Sequence, residues 1–271
     1  MLKTTISRSI AAAFSAGALA LSMAPANAAP AGENVPTFEE FQASTFRDVG
    51  GQYVVNGDET IANTKALRDY YDRMVSSSKP GGSTSLVVNT NGGADDLWSD
   101  ATTLTYCVSN SFGSDKSAIV SAMQSGAGQW EAASSGVDFT YVSSADASCN
   151  TSNSSVTFSV EPTSTTQYIA RAFFPSSPKS QRNVLVNAYS LQNSGSWTPS
   201  NILAHELGHV LGFRHEHTRP EAGTCFEDNN WRPLTPYDSS SIMHYPQCNG
   251  SSSDLSMTAT DRAGVASVYG S

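Results

Sequence analysis

The segment of residues 205–216 constrains this chain most, because three of its five histidines lie there and a fourth follows directly. It reads HELGHVLGFRHE. Residues four apart on an α-helix lie about 40° apart around the axis. His205 and His209 therefore project from one face and can reach a single cation. Glu206 lies beside them, where it can touch a bound water without becoming a ligand.

A third ligand requires the chain to leave the helix. Thr198 and Pro199 predict the helix start, as a capping hydroxyl followed by proline, and the helix should run to about Phe213. Gly212 tolerates the left-handed conformation that would swing His215 back to the metal. Three neutral imidazoles with an open position suit one catalytic zinc ion. The opposite helix face should pack on the core through Leu203, Leu207 and Leu211.

These residues predict peptide-bond hydrolysis. Zinc lowers the pKa of its water toward about 7, and Glu206 can take the proton and pass it to the leaving amine. Two alternatives remain open: a zinc amidase acting on cell-wall material, and a zinc-bearing binding protein without catalysis. Glu206 and the open metal position argue against the second.

The pattern H-E-x-x-H-x-x-G-x-x-H resembles the signature of the metzincin zinc metalloendopeptidases. Residues 241–245, SIMHY, are similar to the methionine turn of their astacin-like branch. This resemblance implies that Met243 forms the floor beneath the histidines. It implies that Tyr245 is a fifth zinc ligand that swings away to stabilise the oxyanion. A mixed twisted sheet with a backing helix, an active-site helix and a C-terminal helix is expected, with the zinc in a cleft.

Glu216 and Arg219 continue the astacin-like pattern, but Pro220 and Glu221 then depart from it. The stretch 205–248 looks closer to the bacterial dual-action HEIGH metallopeptidases.

A second resemblance lies far upstream, at residues 55–58, VNGD. They are similar to the F-x-G-D motif of astacin-like zymogens, with valine for phenylalanine. The resemblance implies that Asp58 caps the zinc in a precursor. The alternative is an ordinary Gly-Asp turn.

Residues 1–28 predict a secretory signal peptide, and therefore a secreted protein. Lys3 and Arg8 precede an apolar stretch, and Ala26-Asn27-Ala28 supplies a small-residue cleavage site. The apolar stretch is shorter than the roughly 20 residues that span a bilayer.

The four cysteines predict two disulfides in an exported protein, with three possible pairings. We expect Cys107–Cys149 and Cys225–Cys248, since each loop then closes within one subdomain.

The net charge of the chain limits the classes of molecule that it is expected to bind. Removing residues 1–28 takes away two positive charges and no acids, so the formal net charge goes from −9 to −11. An acidic chain without a basic run does not favour nucleic acid or an anionic membrane. We expect a monomer that acts on protein or peptide substrates.

The chain divides at a Ser/Gly/Pro-rich run at 76–83. We predict a propeptide-like segment with linker at 29–85 and a catalytic domain at 86–271. Strands followed by helices indicate an α+β fold. The expected helices are Ile61–Met74, Ser117–Ala133 and Asp261–Tyr269 besides the metal-binding one. The expected strands are Leu104–Val108, Val137–Val142, Val156–Val160, Ile169–Phe174 and Val184–Asn187.

The remaining polar residues receive weaker assignments. His217 is expected at the surface or around the ligands, and His244 is expected to be structural. The oxygens of residues 227–230, EDNN, could bind calcium, but they lack EF-hand spacing, so an exposed loop is expected.

Overall fold

A computed structural model describes residues 35–76 and 86–271. The predicted signal peptide, residues 1–28, lies outside the described residues, as does most of the predicted linker. The described residues form an α+β fold, as predicted, with helices packed on a sheet of mixed strand direction. None of the helices in these two ranges is long and apolar enough to cross a membrane.

Residues 35–76, here called the N-terminal segment, have a small core of their own. The segment contains α1 (Phe38–Ser44), β1 (Phe46–Arg47), β2 (Tyr53–Val55), β3 (Glu59–Ile61) and α2 (Thr64–Ser76), and its strands pair antiparallel. The predicted helix at Ile61–Met74 starts three residues late, because Ile61 pairs in β3. The core packs aromatic and aliphatic side chains together: Phe38, Phe41, Tyr53, Val55, Leu67, Tyr70 and Met74.

The main sheet has five strands and one antiparallel edge. In spatial order they are β7 (Val137–Tyr141), β6 (Ala101–Val108), β8 (Phe158–Pro162), β10 (Asn183–Val186) and β9 (Ala170–Arg171). All neighbours run parallel except β9 against β10. The predicted strand at Val156–Val160 begins two residues later, and the one predicted at Ile169–Phe174 shortens to two residues.

Two helices pack closely against each other beneath the sheet. They are α3 (Lys116–Glu131) and α5 (Pro199–Val210). A Cβ on Gly126 would lie 2.8 Å from the Ala204 nitrogen, so only glycine permits this approach. The indole of Trp130 donates to the Ala204 carbonyl at 2.7 Å. The short α4 (Ala188–Gln192) precedes α5, and α6 (Ala259–Tyr269) is the last helix.

A smaller sheet lies beside the end of α5. It contains β4 (Val87–Asn91), β5 (Ala94–Asp95), β11 (Phe213–Arg214) and β12 (Trp231–Pro233). Helix α5 was predicted to reach Phe213, but it ends at Val210. Phe213 instead pairs with Val88 and stacks on Trp130 at 5.3 Å between ring centroids.

Disulfides and short helices complete the fold. The two disulfides are Cys107–Cys149 and Cys225–Cys248. Short 3₁₀ helices occupy Asn110–Asp115, Ser143–Ser148, Lys179–Gln181, Glu216–Thr218, Pro220–Ala222 and Pro246–Cys248.

Candidate metal centre

Helix α5 presents His205 and His209 on one face, with ring centroids 5.0 Å apart. The Thr198 hydroxyl accepts the Asn201 N–H at 3.2 Å, and Pro199 occupies the first helical position. The opposite face anchors the helix in the core through three buried leucines: Leu203, Leu207 and Leu211.

Gly212 carries the chain out of the helix with a φ of 99°. A Cβ at this position would lie 2.2 Å from the Asp96 carbonyl oxygen. The left-handed backbone and the close approach both require glycine. Strand β11 follows, and His215 then returns to the helix face, where its Nε2 lies 3.2 Å from that of His205.

Asp58 of the N-terminal segment reaches the same point from 147 residues away. Its Oδ2 lies 3.1 Å from His205 Nε2. Its Oδ1 lies 3.1 Å from His215 Nε2 and 3.4 Å from His209 Nε2. The four side chains are buried, and their ligand atoms all lie within 4.8 Å of one another.

The other ring nitrogen of each histidine faces an acceptor. His205 Nδ1 lies 2.7 Å from the Ile242 carbonyl, and His209 Nδ1 lies 2.8 Å from the Phe213 carbonyl. His215 Nδ1 lies 2.6 Å from Glu227 Oε1. A carbonyl or carboxylate can only accept, so each Nδ1 carries a hydrogen. In the neutral imidazoles, the Nε2 lone pairs therefore point toward the centre of the cluster.

Unsatisfied atoms at this centre favour a bound cation. Asp58 Oδ1 and His209 Nε2 are buried without a hydrogen-bond partner in the described parts of the chain. Each such atom costs about 1–3 kcal/mol unless it finds a partner. Histidine nitrogens and a carboxylate oxygen form a donor set that zinc prefers. The four residues therefore fit a zinc ion.

Glu206 faces a small cavity next to the histidines. The cavity is also lined by Tyr168, Ala170, Trp197 and Tyr245. Burial raises the pKa of Glu206 well above its usual value, and the nearby Asp58 carboxylate raises it further. Glu206 is therefore a weaker acid while Asp58 is present.

The methionine turn lies beneath the helix. Met243 packs against Gly208, where a Cβ would lie 2.4 Å from the methionine sulfur. Tyr245 stacks on His205 at 5.2 Å between centroids, and its hydroxyl donates to Asp58 Oδ2. Burial, and then the negative charge of Asp58, raise the pKa of Tyr245 well above its usual value.

Asp261 supports this turn, a role that we did not predict from the sequence. It caps α6 together with Thr258. It also accepts the Ser241 hydroxyl at 2.5 Å and the Ile242 N–H at 2.9 Å. The Ile242 carbonyl faces His205. Asp261 of α6 therefore contacts the same residue, Ile242, that holds a candidate ligand. The capping-box spacing of Thr258 and Asp261 was a readable signal for part of this role.

Residues 227–230 form a loop with Asn229 exposed, as predicted, but the prediction of exposure was wrong for Glu227 and Asp228. Glu227 and Asp228 are 1% and 2% exposed, and both bind the buried guanidinium of Arg214. Glu59 of the N-terminal segment binds the same guanidinium at 3.2 Å. Arg214 is thus the shared partner of the Glu227 and Asp228 carboxylates. A buried arginine requires carboxylate partners, but no sequence spacing relates Arg214 to them.

The surface alternative for His217 was also wrong. His217 is fully buried, stacks on His215 at 4.6 Å and lies 3.4 Å from Glu227 Oε1. His244 is buried, and its Nε2 lies 2.8 Å from the Tyr237 hydroxyl. Its imidazole is thus engaged in local structure.

Glu216 and Arg219 pair with each other in the interior. Glu216 Oε1 lies 3.3 Å from Arg219 Nη1 and accepts the Asp238 N–H at 3.1 Å.

Comparison with known proteins agrees with this geometry. The sequence model of the dual-action HEIGH metallopeptidases matches residues 93–269. The chain belongs to this family. The astacin-like resemblance is also supported by sequence similarity to the two relatives described below. We therefore describe the chain as a metallopeptidase of metzincin type.

The relatives match only short parts of their own length. High choriolytic enzyme 2 of Oryzias latipes is 39% identical over 70 residues, covering 20% of this chain and 25% of the relative. Zinc metalloproteinase nas-39 of Caenorhabditis elegans is 41% identical over 63 residues, covering 16% and 7%. This metallopeptidase thus spans a quarter or less of these relatives. The structure of myroilysin has a TM-score of 0.48 at 18% identity, covering 68% of this chain and 98% of that one.

Proposed function

We propose that this metallopeptidase is a secreted zinc endopeptidase made as a precursor. Residues 1–28 are its signal peptide, residues 29–85 its prosegment and linker, and residues 86–271 its catalytic domain. One observation carries the zinc assignment: three imidazole Nε2 atoms meet at one point, and each ring is held through Nδ1. The two disulfides support export, because disulfides persist in oxidising compartments.

The residues around the zinc site have distinct roles. His205, His209 and His215 would hold the zinc ion, which would supply Lewis acidity to the scissile carbonyl and to water. Glu206 accepts the proton of the attacking water and later donates it to the leaving amine. Tyr245 is the candidate fifth ligand, and its hydroxyl donates a hydrogen bond to the developing oxyanion.

Asp58 keeps this site closed in the precursor. Its carboxylate faces the three candidate ligands and accepts from the Tyr245 hydroxyl, so it holds both the metal position and the oxyanion donor. Its carbonyl accepts the Ala172 N–H at 3.2 Å, beside the edge strand β9. The Thr60 hydroxyl donates to the Ala172 carbonyl at 3.2 Å. The segment thus covers the cavity that faces Glu206.

The test of this function is Glu206→Gln in the processed protein. We expect the variant to retain zinc and to lose casein or peptide cleavage by about 10²–10⁴-fold, since it cannot take up the proton. Asp138→Asn, at an exposed position of β7, is the matched control and should change neither property. Equal cleavage by Glu206→Gln would disprove the mechanism. A zinc-bound wild-type protein that cleaves neither substrate would instead favour a non-catalytic role.

A further inference from the structure

Glu227 differs from the other two acceptors that hold the candidate zinc ligands. His205 and His209 donate to backbone carbonyls, which the methionine turn and strand β11 keep in place. His215 instead faces a carboxylate side chain at 2.6 Å. The orientation of one ligand therefore depends on a charged residue that the backbone alone does not position.

An ion pair with Arg214 holds Glu227 in place. Arg214 Nη2 lies 2.7 Å from Glu227 Oε2, which leaves Oε1 directed at His215. The side chains of Glu227 and His215 are completely buried, and that of Arg214 is 3% exposed. Hydrogen bonds to an ionised acceptor are roughly twice as strong as neutral ones, and screening by water is small in such a site.

We propose that Glu227 is a positioning residue that orients His215 and strengthens it as a zinc ligand. A carboxylate on Nδ1–H fixes the ring and its tautomer, and it raises the electron density available at Nε2. The inference rests on the proposed zinc site, and it adds a residue outside the H-E-x-x-H-x-x-G-x-x-H pattern. In this proposal, the ion pair of Arg214 with Glu227 also orients a zinc ligand, besides neutralising a buried charge.

A neighbouring residue separates this role from a purely structural one. Asp228 binds the same guanidinium through Nη1, and it also binds Arg73 at 2.8 Å. Within residues 35–76 and 86–271, the Asp228 carboxylate contacts Arg214, Arg73 and the Asn230 N–H, and none of these is a candidate zinc ligand. If Glu227 only neutralised Arg214, then Glu227→Gln and Asp228→Asn would have similar effects on zinc binding.

The experiment measures zinc affinity of the full chain by competition with a chromophoric chelator, and the melting temperature of the metal-free protein. We expect Glu227→Gln to weaken zinc binding about 10–100-fold, a range typical for the loss of such an outer partner. Asp228→Asn should bind zinc as tightly as the wild-type chain. Equal affinity of Glu227→Gln and wild type, or an equal loss in Asp228→Asn, would overturn the proposal.

A second variant covers the case in which Glu227→Gln fails to fold. Glu227→Asp keeps the negative charge near Arg214 but withdraws the carboxylate from His215 by about 1.5 Å, one carbon–carbon bond. We expect it to fold and to bind zinc more weakly than wild type. Wild-type zinc affinity in this variant would contradict the inference. A wild-type chain that binds no zinc would instead contradict the proposed function itself, so the two failures are distinguishable.

Discussion

The N-terminal segment and the region from residue 86 onward are both apolar inside, whereas the boundary between them is strongly charged. The segment has its aromatic core around Leu67, and the larger region has its own core around Trp130. Among the described residues, three arginine–carboxylate pairs cross between them, two of them buried: Asp48–Arg171, Glu59–Arg214 and Arg73–Asp228. One small apolar cluster also crosses, formed by Phe46, Val54, Tyr168 and Leu185.

This difference bears on the proposed release of the N-terminal segment, which requires the two parts to be stable together and able to separate. An apolar boundary would stabilise the docked state in proportion to its buried area, and it would leave an exposed apolar face after separation. Buried charges are costly when one partner is lost, but water can solvate both partners once the parts separate completely. A charged boundary therefore suits a segment that is bound in the precursor and released after cleavage.

The largest expected effect comes from Asp58→Ala. The unprocessed variant should cleave peptides, because the carboxylate no longer occupies the position where water must bind. Activity should rise about tenfold for each 1.4 kcal/mol by which Asp58 favours the closed state. The measurement is the rate of peptide cleavage by the precursor, whose intact mass verifies that it is uncleaved. The double variant with Glu206→Gln should be inactive, and a silent Asp58→Ala precursor would count heavily against the closed-site hypothesis.

Asp48→Ala tests the charged boundary away from the metal centre. Arg171 Nε and Nη2 both bind Asp48 Oδ2, at 2.9 and 2.7 Å. Loss of one partner of a fully buried pair costs about 3–5 kcal/mol. Urea denaturation of the precursor should reveal a loss of this size. Asp72→Ala, at an exposed position of α2, should have no measurable effect. A cost below about 1 kcal/mol would show that the pair contributes little to docking.

Lys65→Ala should have the smallest effect. Lys65 and Asp69 form an ion pair on the outer face of α2, with side chains 84% and 45% exposed. Water and salt screen such a pair, so its removal should leave the melting temperature of the precursor unchanged within error. A destabilisation comparable to that of Asp48→Ala would remove the distinction between boundary and surface pairs.

Much of the fold could be predicted from local patterns. The three helices α2, α3 and α6 lie within three residues of their predicted starts, and five predicted strands are present with shifted ends. The predicted ends of strands were least accurate, because pairing with a neighbouring strand decides where a strand ends. Strand β9 is short because it pairs with β10 only through Ala170 and Arg171, whereas the predicted strand covered residues 169–174.

Within the candidate site, local pattern was enough to predict that His205 and His209 share one helix face and that Gly212 turns the chain. The helical repeat relates residues four apart, and a φ of 99° is accessible mainly to glycine. The packing of separate elements, by contrast, brings Glu59 and Glu227 to Arg214 behind His215. The approach of Asp58 was suggested by resemblance alone. Contacts across 147 residues depend on how separate elements pack, and no local periodicity encodes that packing.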